Sequence, residues 1–417
     1  VHRNITYRLI PGTRAKAQKL SQIAGACRWV WNYFLGENKR RYREHVETER
    51  FCEDTLLGLM FEQPAKPPLT FFELGKQFTI LRSQTGWLQE LPFTVVRYTL
   101  KRQADAWQRA FAGGGFPKFK ARDGNDSFTL PQDVRIRGGK LWIPRVGWLV
   151  LRRRGGNPYG GCKPVQAVVK RVLGRWYCTV CYAVPHSTQA HNGIVVGVDR
   201  NCGHVAVSDG RIFAHPDIQR LEARKRRYER MMCRREKGSK RRAVARYRLA
   251  KTHRKIATIR ANWQHHVSCE LADTAGTVVV EALRTKNMTL SAKGTADKPG
   301  VGVARKAALN RAILATGWAG LHAKLSYKAA EVIEVAPAYT SQRCNACGHT
   351  EAANRRSQSE FHCVVCGHAG NADINAALNV LALGTEAAGR RGAFSLETPK
   401  NRQETYPQGL AYAGLGM

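Results

Sequence analysis

The sequence predicts a multidomain protein of the α+β class. Its 417 residues correspond to about two to four domains at roughly 150 residues per domain. Apolar residues recur at helical spacing through residues 11–115, and they alternate with polar residues in short segments through residues 127–186. This change of period indicates a helical module followed by a β module. With 43% apolar and 24% charged residues, the composition excludes a wholly disordered or collagen-like chain.

The charge of the chain indicates its partners. Lys and Arg number 68 and Asp and Glu number 31, which gives a formal net charge of +37. Such a surplus repels itself unless a polyanion offsets it, so nucleic acid is the expected partner and an acidic membrane surface is the alternative. No apolar run approaches the roughly 18 residues of a membrane span, and residues 1–5 contain no apolar signal core. We therefore expect a cytoplasmic protein with no membrane partner, whose 12 cysteines are reduced thiols or metal ligands.

The first part of the chain predicts one strand and two helices. Ile5, Tyr7 and Leu9 alternate with polar residues, and Pro11 ends the run. This strand is expected to pair with the β module, with the helical module inserted between them. Apolar residues at three- and four-residue steps predict the helices. The first buries Leu20, Ile23, Ala24, Cys27, Val30, Trp31 and Phe34; the second, which ends at Gly113, buries Val96, Leu100, Ala104, Trp107 and Phe111.

A new unit begins near residue 191. Buried strands are predicted at residues 194–198, 277–280 and 332–335. A single helix containing Leu314 and Leu321 is predicted next to the last of these strands, and a final helix from about residue 372. Between the first two strands, Gly238 divides a very basic segment into two helices. The second of these buries Leu249, Ile256, Ile259, Trp263, Val267 and Leu271.

The basic segment Arg220–Arg260 is either a solvated charged face or a nucleic-acid contact. It contains few acids, and a block of like charge costs self-repulsion, which favours a face that follows phosphates without reading bases. The helical aromatics are expected to pack in the core rather than to stack on bases; they are Trp29, Trp31, Trp107 and Phe111.

Four cysteines have the spacing of a zinc ribbon. Cys344 and Cys347 form one C-x-x-C pair, and Cys363 and Cys366 form a second after a gap of 15 residues. Four thiolates on two tight turns suit a tetrahedral structural Zn²⁺ and leave no position for a catalytic water; free thiols are the alternative. A glycine follows each pair and permits the backbone turn.

The pair Cys178 and Cys181 differs from these four cysteines. It lies in an alternating strand, where residues three apart face opposite sides. Ordinary strand thiols are therefore predicted there.

Three carboxylates predict an active site. Asp199 ends the strand 194–198, Glu281 ends the strand 277–280, and Asp373 opens the last helix. Together they could hold two Mg²⁺ ions for phosphodiester hydrolysis. Taken singly, each could be a turn or cap residue, and Asp373 could be a plain helix N-cap. The order strand-Asp, strand-Glu, helix-Asp is that of an RNase H-like, RuvC-type nuclease domain.

Several motifs resemble TnpB, the OrfB-type nuclease of small bacterial insertion sequences. They are Tyr7–Pro11, Arg28–Asn32, Gly115–Lys120, Gly197–Asn201, Val279–Met288, Tyr339–Gly348, Cys363–Gly367 and Asp373–Ala377. The resemblance covers nearly the whole chain up to about residue 385, and compact type V CRISPR effectors share the layout. Many members have Arg before the last Asp, where this chain has Ala372, so one auxiliary contact of the family is not expected here.

The resemblance implies a division of the chain into five parts. A wedge-like β-barrel is split between residues 1–10 and 116–190, and a helical recognition lobe, 11–115, is inserted in it. A RuvC-like nuclease domain comprises 191–337 and 371–384, and a zinc-ribbon target-nucleic-acid-binding domain comprises 338–370. The tail, 385–417, is expected to be flexible.

The resemblance also implies an RNA-guided DNA endonuclease. Its partners would be a guide RNA and target double-stranded DNA, cut next to a short flanking motif in one Mg²⁺-dependent site. A prokaryotic protein associated with the nucleoid is expected. Alternatives are a compact type V CRISPR effector, a guided repressor that does not cleave, a zinc-ribbon DNA-binding factor without RNA, and a transposase that joins DNA ends.

Overall fold

The computed structural model describes residues 1–54, 69–122, 126–185, 192–295 and 297–389. Most of the tail predicted to be flexible lies outside these residues. The chain divides into two compact units, 1–186 and 187–417, which are described separately. In the described ranges, no helix is both long and apolar enough to cross a membrane.

The helices of the first unit form around the predicted apolar faces. They are α1 (Arg14–Asp54), α2 (Phe71–Ser83), α3 (Gly86–Gln89) and α4 (Phe93–Phe111). The seven apolar residues predicted to be buried in the first helix are all buried in α1. Helix α2 was not predicted; it begins with a capping box in which Thr70 and Glu73 satisfy each other's backbone amides.

The predicted packing of the helical aromatics is confirmed for two residues and wrong for two. Trp31 and Trp107 are buried, whereas Trp29 is 39% and Phe111 51% exposed. Both exposed rings lie at the edge of an aromatic group, Trp29 stacked on Tyr33 and Phe111 stacked on Trp107. Helical spacing alone did not locate these edges.

A seven-stranded antiparallel sheet completes the first unit. Its strands are β1 (His2–Ile10), β2 (Ser127–Leu130), β3 (Ile136–Arg137), β4 (Lys140–Ile143), β5 (Gly147–Arg152), β6 (Lys163–Val172) and β7 (Arg175–Ala183). The order is β2-β6-β7-β1-β5-β4-β3. Strand β1 therefore pairs with the β module as predicted, with Tyr7 opposite Cys178. Cys178 is buried while Cys181 is half-buried on the other face, which confirms that these two are strand thiols.

The second unit contains a mixed five-stranded sheet. Its strands are β8 (Val195–Arg200), β9 (His204–Val207), β10 (Ile212–Ala214), β11 (Thr277–Glu281) and β12 (Glu331–Val335). The order is β10-β9-β8-β11-β12, with β8, β11 and β12 parallel to one another. Because β8 and β11 are parallel neighbours, their carboxyl ends lie at the same edge of the sheet.

In the described part of this unit, six α-helices accompany the sheet. They are α5 (Gln219–Cys233), α6 (Lys240–Thr274), α7 (Thr285–Met288), α8 (Val303–Thr316), α9 (Trp318–Lys328) and α10 (Ala372–Gly389). The predicted division of the basic segment is confirmed, since Gly238 has φ +93° and the Ser239 side chain caps α6. Of the six residues predicted to be buried in α6, Ile256, Val267 and Leu271 are buried; Leu249, Ile259 and Trp263 are only half-buried.

The prediction of a single helix containing Leu314 and Leu321 is wrong, because the structure has two helices there. Gly317 has φ +70° and separates α8 from α9. An added Cβ at Gly317 would lie 2.5 Å from the Gln264 amide of α6. Leu321 is buried while Leu314 is 58% exposed, so one continuous apolar face does not exist.

Helix α10 lies directly on the sheet. A Cβ at Gly197 of β8 would overlap the α10 backbone at Ala377, and a Cβ at Gly384 of α10 would overlap Val279 of β11. This close approach brings the amino terminus of α10 to the edge at which β8 and β11 end. The segment between β12 and α10 contains β13 (Glu360–His362) and β14 (Ala369–Asn371), which pair with each other.

Candidate active site and metal centre

The four predicted cysteines form one cluster. The Sγ atoms of Cys344 and Cys366 are 3.7 Å apart, and those of Cys347 and Cys363 are 3.6 Å apart. All four Sγ atoms lie within 4.8 Å of one another. A tetrahedral Zn²⁺ with Zn–S bonds of about 2.3 Å would hold its sulfurs about 3.8 Å apart. The donor set and its spacing therefore fit zinc.

The backbone prepares these thiols for a metal. Gly348 and Gly367, with φ +78° and +72°, donate their amides to the carbonyls of Cys344 and Cys363. The backbone amide of Cys366 lowers the pKa of the Cys363 thiol to about 6. The backbone amide of His368 acts in the same direction on Cys366, but hydrogen bonds with the neighbouring thiols and burial outweigh it and raise the pKa of Cys366, so a bound metal would displace the proton of that thiol. A thiolate is the metal-binding form of cysteine, so the turn itself favours metal binding.

Two of the predicted carboxylates lie at the ends of neighbouring parallel strands. Asp199 and Glu281 are each 7% exposed. The Asn201 side chain donates to Asp199 Oδ2 at 2.7 Å. The Thr340 hydroxyl donates to Glu281 Oε1 at 2.7 Å. Each carboxylate is thus oriented by one short hydrogen bond.

Asp373 is held from two sides. It lies in the first turn of α10, where its backbone amide donates a hydrogen bond to the Asn371 side chain. His204 Nε2 of β9 lies 2.7 Å from Asp373 Oδ2, and Arg355 Nη2 donates to Oδ1 at 3.0 Å. The side chain of Asp373 points into these contacts, so it is not the plain helix N-cap that was the alternative.

Burial raises the pKa of both strand-end carboxylates. For Asp199 it is the main reason that the pKa rises to about 7; the negative charges of Glu281 and Asp373 add to the rise, and Asn201 and Arg355 oppose it. Burial likewise raises the pKa of Glu281, opposed by Thr340 and Arg200. A cation between these groups would stabilise their ionised forms, because burying a charged carboxylate costs free energy unless it is paired or coordinates a metal.

A cavity of about 780 Å³ opens beside the strand ends. Asp199 and Glu281 line it together with three arginines, Arg200, Arg284 and Arg355. Arg200 is buried, and its guanidinium donates to the main-chain carbonyl of Glu281. The cavity therefore places carboxylates, which can bind metal ions, next to arginines, which can bind phosphates.

The structure gathers the carboxylates less tightly than the cysteines. In the part of the chain that the structure describes, only the four cysteines form a group of three or more metal-ligating residues whose donor atoms all lie within 4.8 Å. Asp373 lies outside the lining of the cavity. The three carboxylates share one electrostatic neighbourhood, but they do not form a closed ligand set.

Sequence reasoning missed the side chains that hold these carboxylates. They are Asn201, His204, Thr340 and Arg355. Asn201 and Thr340 lie inside the quoted motifs, so their position was a usable signal. His204 and Arg355 lie at no helical or strand spacing from Asp373, and only the fold brings them there. Ala372, in place of the family's arginine, is buried against Cys344 and Cys363.

The basic helices α5 and α6 pack against each other and leave arginines in solvent. None of the residues of α5 is buried, and Arg224, Arg226 and Arg227 are exposed. The hairpin is tied by Arg242, which donates to the carbonyls of Met232 and Arg235. The exposed charge agrees with either a solvated face or a phosphate-binding one.

The fold is similar to that of one solved nucleic-acid complex. The chain aligns with the structure described as the cryo-EM structure of the Cas12f1–sgRNA–target DNA complex at a TM-score of 0.52 and 15% identity, over 88% of this chain and 83% of that one. The family model described as the Cas12f1-like TNB domain matches residues 318–380. These residues include the four cysteines.

The chain belongs to the TnpB, or OrfB-type, family of insertion-sequence proteins. It is 32% identical to "Putative RNA-guided DNA endonuclease InsQ" of Escherichia coli K12, over 91% of each chain. A protein of Streptomyces pristinaespiralis described as "Putative RNA-guided DNA endonuclease" is 25% identical over 93% of this chain and 90% of its own length. Family models of the IS605 OrfB group also match: "Probable transposase" at residues 179–292 and "Helix-turn-helix domain" at 1–47. Within the latter range the structure has β1 and part of one long helix, α1.

Proposed function

We propose that this protein is an RNA-guided DNA endonuclease of a bacterial insertion sequence that hydrolyses phosphodiester bonds at Asp199, Glu281 and Asp373. The observation that carries this is the pair of buried carboxylates at adjacent parallel strand ends, lining one cavity with three arginines. The names of the full-length relatives support the reaction class.

We assign the five-stranded sheet and α10 to an RNase H-like, RuvC-type nuclease domain. The order strand-Asp, strand-Glu, helix-Asp supports this, with both strands at the centre of the sheet. We further assign the antiparallel sheet to a wedge-like barrel, α1 to α4 to a recognition lobe, and residues 338–370 to a zinc ribbon.

Two Mg²⁺ ions fit the carboxylate site by the chemistry of its donors. Mg²⁺ prefers carboxylate oxygens. Burial raises the pKa values of Asp199 and Glu281, and a bound cation would stabilise their ionised forms. When bound, the ions would activate a water and stabilise the leaving oxygen. The protein's part is to hold the ligands, through Asn201 on Asp199, Thr340 on Glu281, and His204 and Arg355 on Asp373.

The arginines and the zinc site have separate tasks. Arg200, Arg284 and Arg355 would bind phosphates of the strand that enters the cavity, since guanidinium groups match phosphate oxygens. The exposed basic residues of α5 and α6 would follow the backbone of the guide or of its duplex with the target. The zinc is structural, because four cysteine ligands close its coordination shell. Acting on DNA, the protein would work in the cytoplasm at the nucleoid.

The test is to purify the protein from its host, sequence the bound RNA, and offer matched and mismatched target DNA with Mg²⁺ or with a chelator. We expect cutting of the matched target only, and only with Mg²⁺. A bound transcript that overlaps the end of the protein's own gene would identify an insertion-sequence nuclease, whereas a repeat-derived transcript would identify a CRISPR effector. Binding without cutting would identify a repressor. Absence of RNA, with no response to added guide, would contradict the proposal.

A further inference from the structure

Two side chains of the ribbon, residues 338–370, form hydrogen bonds with the carboxylates; Thr340 is buried and Arg355 is half-buried. Thr340, four residues before the first zinc cysteine, donates to Glu281. Arg355, between the two cysteine pairs, donates to Asp373. Two of the three proposed magnesium ligands are thus oriented by ribbon side chains, whereas Asp199 is oriented by Asn201 next to its own strand.

Asn354 joins the two cysteine turns to each other. It is fully buried. Its amide nitrogen donates to the carbonyls of Gln342 and His349 at 3.0 and 3.2 Å, and its side-chain oxygen accepts from the amide of Val364 at 3.0 Å. His349 also accepts from the Cys344 amide, and Val364 follows Cys363. One amide side chain therefore fixes both turns, and the next residue is Arg355.

Two more asparagines attach the first cysteine turn to α10. Asn375 donates to the Arg343 carbonyl and accepts from the Asn345 amide. Asn379 donates to the carbonyls of Thr340 and Arg343. Both asparagines are 3% exposed. A buried amide persists only when its hydrogen bonds are made, so the loop that carries Thr340 has one defined position against α10.

We infer that the zinc ribbon, beyond any contact with nucleic acid, is a positioning element for the magnesium-binding carboxylates, with Asn354 as the residue that connects the zinc turns to Arg355 and Asp373. The inference deepens the proposed function and rests on it. Closing the two turns on zinc fixes Asn354; Asn354 fixes the start of Arg355; Arg355 and Thr340 then hold Asp373 and Glu281 at the angles that a hard cation requires.

The physical basis is the rigidity that Mg²⁺ demands. Mg²⁺ accepts only near-octahedral arrangements of oxygens, and the partners that orient metal ligands typically change metal affinity by about 10- to 100-fold when removed. The carboxylates here do not form a group whose donor atoms all lie within 4.8 Å of one another, as the four cysteines do in the described residues. Their outer partners therefore matter more than they would in a preformed site.

The experiment measures metal binding separately from activity. Mn²⁺ binding to the guide-loaded complex is followed by electron paramagnetic resonance, and the sites lost in the Asp199→Ala complex define the carboxylate site. Zinc content and target-DNA binding are measured on the same samples. Asn354→Ala should keep its zinc and its DNA binding but bind Mn²⁺ at that site about 10-fold more weakly. The exposed Gln358, whose carbonyl but not its side chain contacts Arg355, provides the matched control: Gln358→Ala should bind Mn²⁺ as the wild type does.

A second pair of variants leaves the zinc turns untouched. Thr340→Val removes the hydroxyl that donates to Glu281 at 2.7 Å and, more weakly, to the Pro337 carbonyl at 3.3 Å. It should weaken Mn²⁺ binding, whereas Thr340→Ser retains the donor and should bind Mn²⁺ as the wild type does. This pair decides the matter if Asn354→Ala loses its zinc.

Failure of the inference and failure of the proposed function give different results. Wild-type Mn²⁺ affinity in Asn354→Ala and Thr340→Val would overturn the inference and leave the proposed function standing; so would weaker DNA binding as the only defect of Asn354→Ala. A wild-type complex with no Asp199-dependent Mn²⁺ site would overturn the proposed function and the inference with it.

Discussion

The cysteine centre and the carboxylate centre are built in opposite ways. The cysteines come from 23 consecutive residues, Cys344–Cys366, and their sulfurs already lie at the spacing of a bound zinc. The carboxylates come from β8, β11 and α10, separated by long stretches of chain. They are oriented by neighbouring side chains, and burial is the main reason that the pKa of Asp199 rises to about 7.

The two centres should lose their metal-binding geometry in response to different changes. A local centre fails when one of its own ligands is changed. A centre assembled across the fold also fails when the elements that carry its ligands are moved apart. The closeness of α10 to the sheet at Gly197 and Gly384 is therefore as much a part of the carboxylate centre as the carboxylates are.

The largest effect expected at the cysteine centre follows Cys363→Ser. Loss of one of four thiolates should lower the zinc content well below one ion per chain and destabilise the ribbon by roughly 4 kcal/mol. Elemental analysis and hydrogen exchange over residues 338–370 measure the two effects. Cys181→Ser, at a half-buried strand thiol, is the control and should keep its zinc. A full complement of zinc in Cys363→Ser would contradict the four-thiolate assignment.

The two centres should differ in their response to pH. Asp199 keeps its proton up to about pH 7 in the metal-free protein, so below pH 7 a proton competes with the metal. The Mn²⁺ concentration that half-saturates the carboxylate site should rise roughly tenfold per pH unit below pH 7 and level off above it. Zinc content should stay constant from pH 6 to pH 8, because a structural zinc site binds its ion by about 10–16 kcal/mol at pH 7 and therefore stays filled even as its affinity falls at lower pH.

The sign of this effect can be checked without metal. An acid whose pKa is raised by folding is protonated in the folded state after the unfolded state has released its proton. Stability of the metal-free complex should therefore fall as the pH rises from about 4 to 7, and Asp199→Asn should reduce that fall. A metal affinity with no pH dependence below pH 7 would contradict the assignment of Asp199 as a ligand.

A smaller effect is expected where α10 meets the sheet. Gly384→Ala puts a methyl group into Val279 of β11 and should destabilise the protein by about 1–3 kcal/mol, more than the roughly 1 kcal/mol that alanine gains in a helix. At Gly25 of α1 a Cβ would meet only Arg28, at 3.9 Å, so Gly25→Ala should be stabilising. Thermal unfolding of the guide-loaded complex compares the two. Equal melting temperatures would show that the helix and sheet are not in the close contact described.

The sequence predicted what depends on local pattern. The spacing of the cysteines predicted the zinc cluster. The periodicity of apolar residues predicted β1, β8, β11 and the apolar face of α1. Helix α2 was missed because its signal is the Thr70–Glu73 capping box rather than a long periodic run. The break at Gly317 was missed because an isolated glycine is tolerated in many helices; its positive φ and the closeness of Gln264, which leaves no room for a side chain, are visible only in the fold.

The sequence predicted Asp199 and Glu281 from their place at strand ends and Asp373 from its place at the start of the last helix, but it did not predict their partners. His204 reaches Asp373 across 169 positions, and Thr340 reaches Glu281 across 59. Contacts of this length depend on sheet order and on how α10 lies, which no spacing rule contains. The supporting side chains of the site therefore required the fold.

The measurement that tests the central claim most directly compares cutting and binding by the guide-loaded Asp199→Ala protein. Asp199, Glu281 and Asp373 are proposed to act as one unit, so this change should lower the cleavage rate on the order of 10⁴-fold, and adding Glu281→Gln should lower it little further. Binding to the matched target should stay at the wild-type level, as it should in the control Asp297→Ala, an exposed acid whose cleavage should also be normal. Near-normal cutting by Asp199→Ala, or a loss of binding equal to the loss of cutting, would contradict the account.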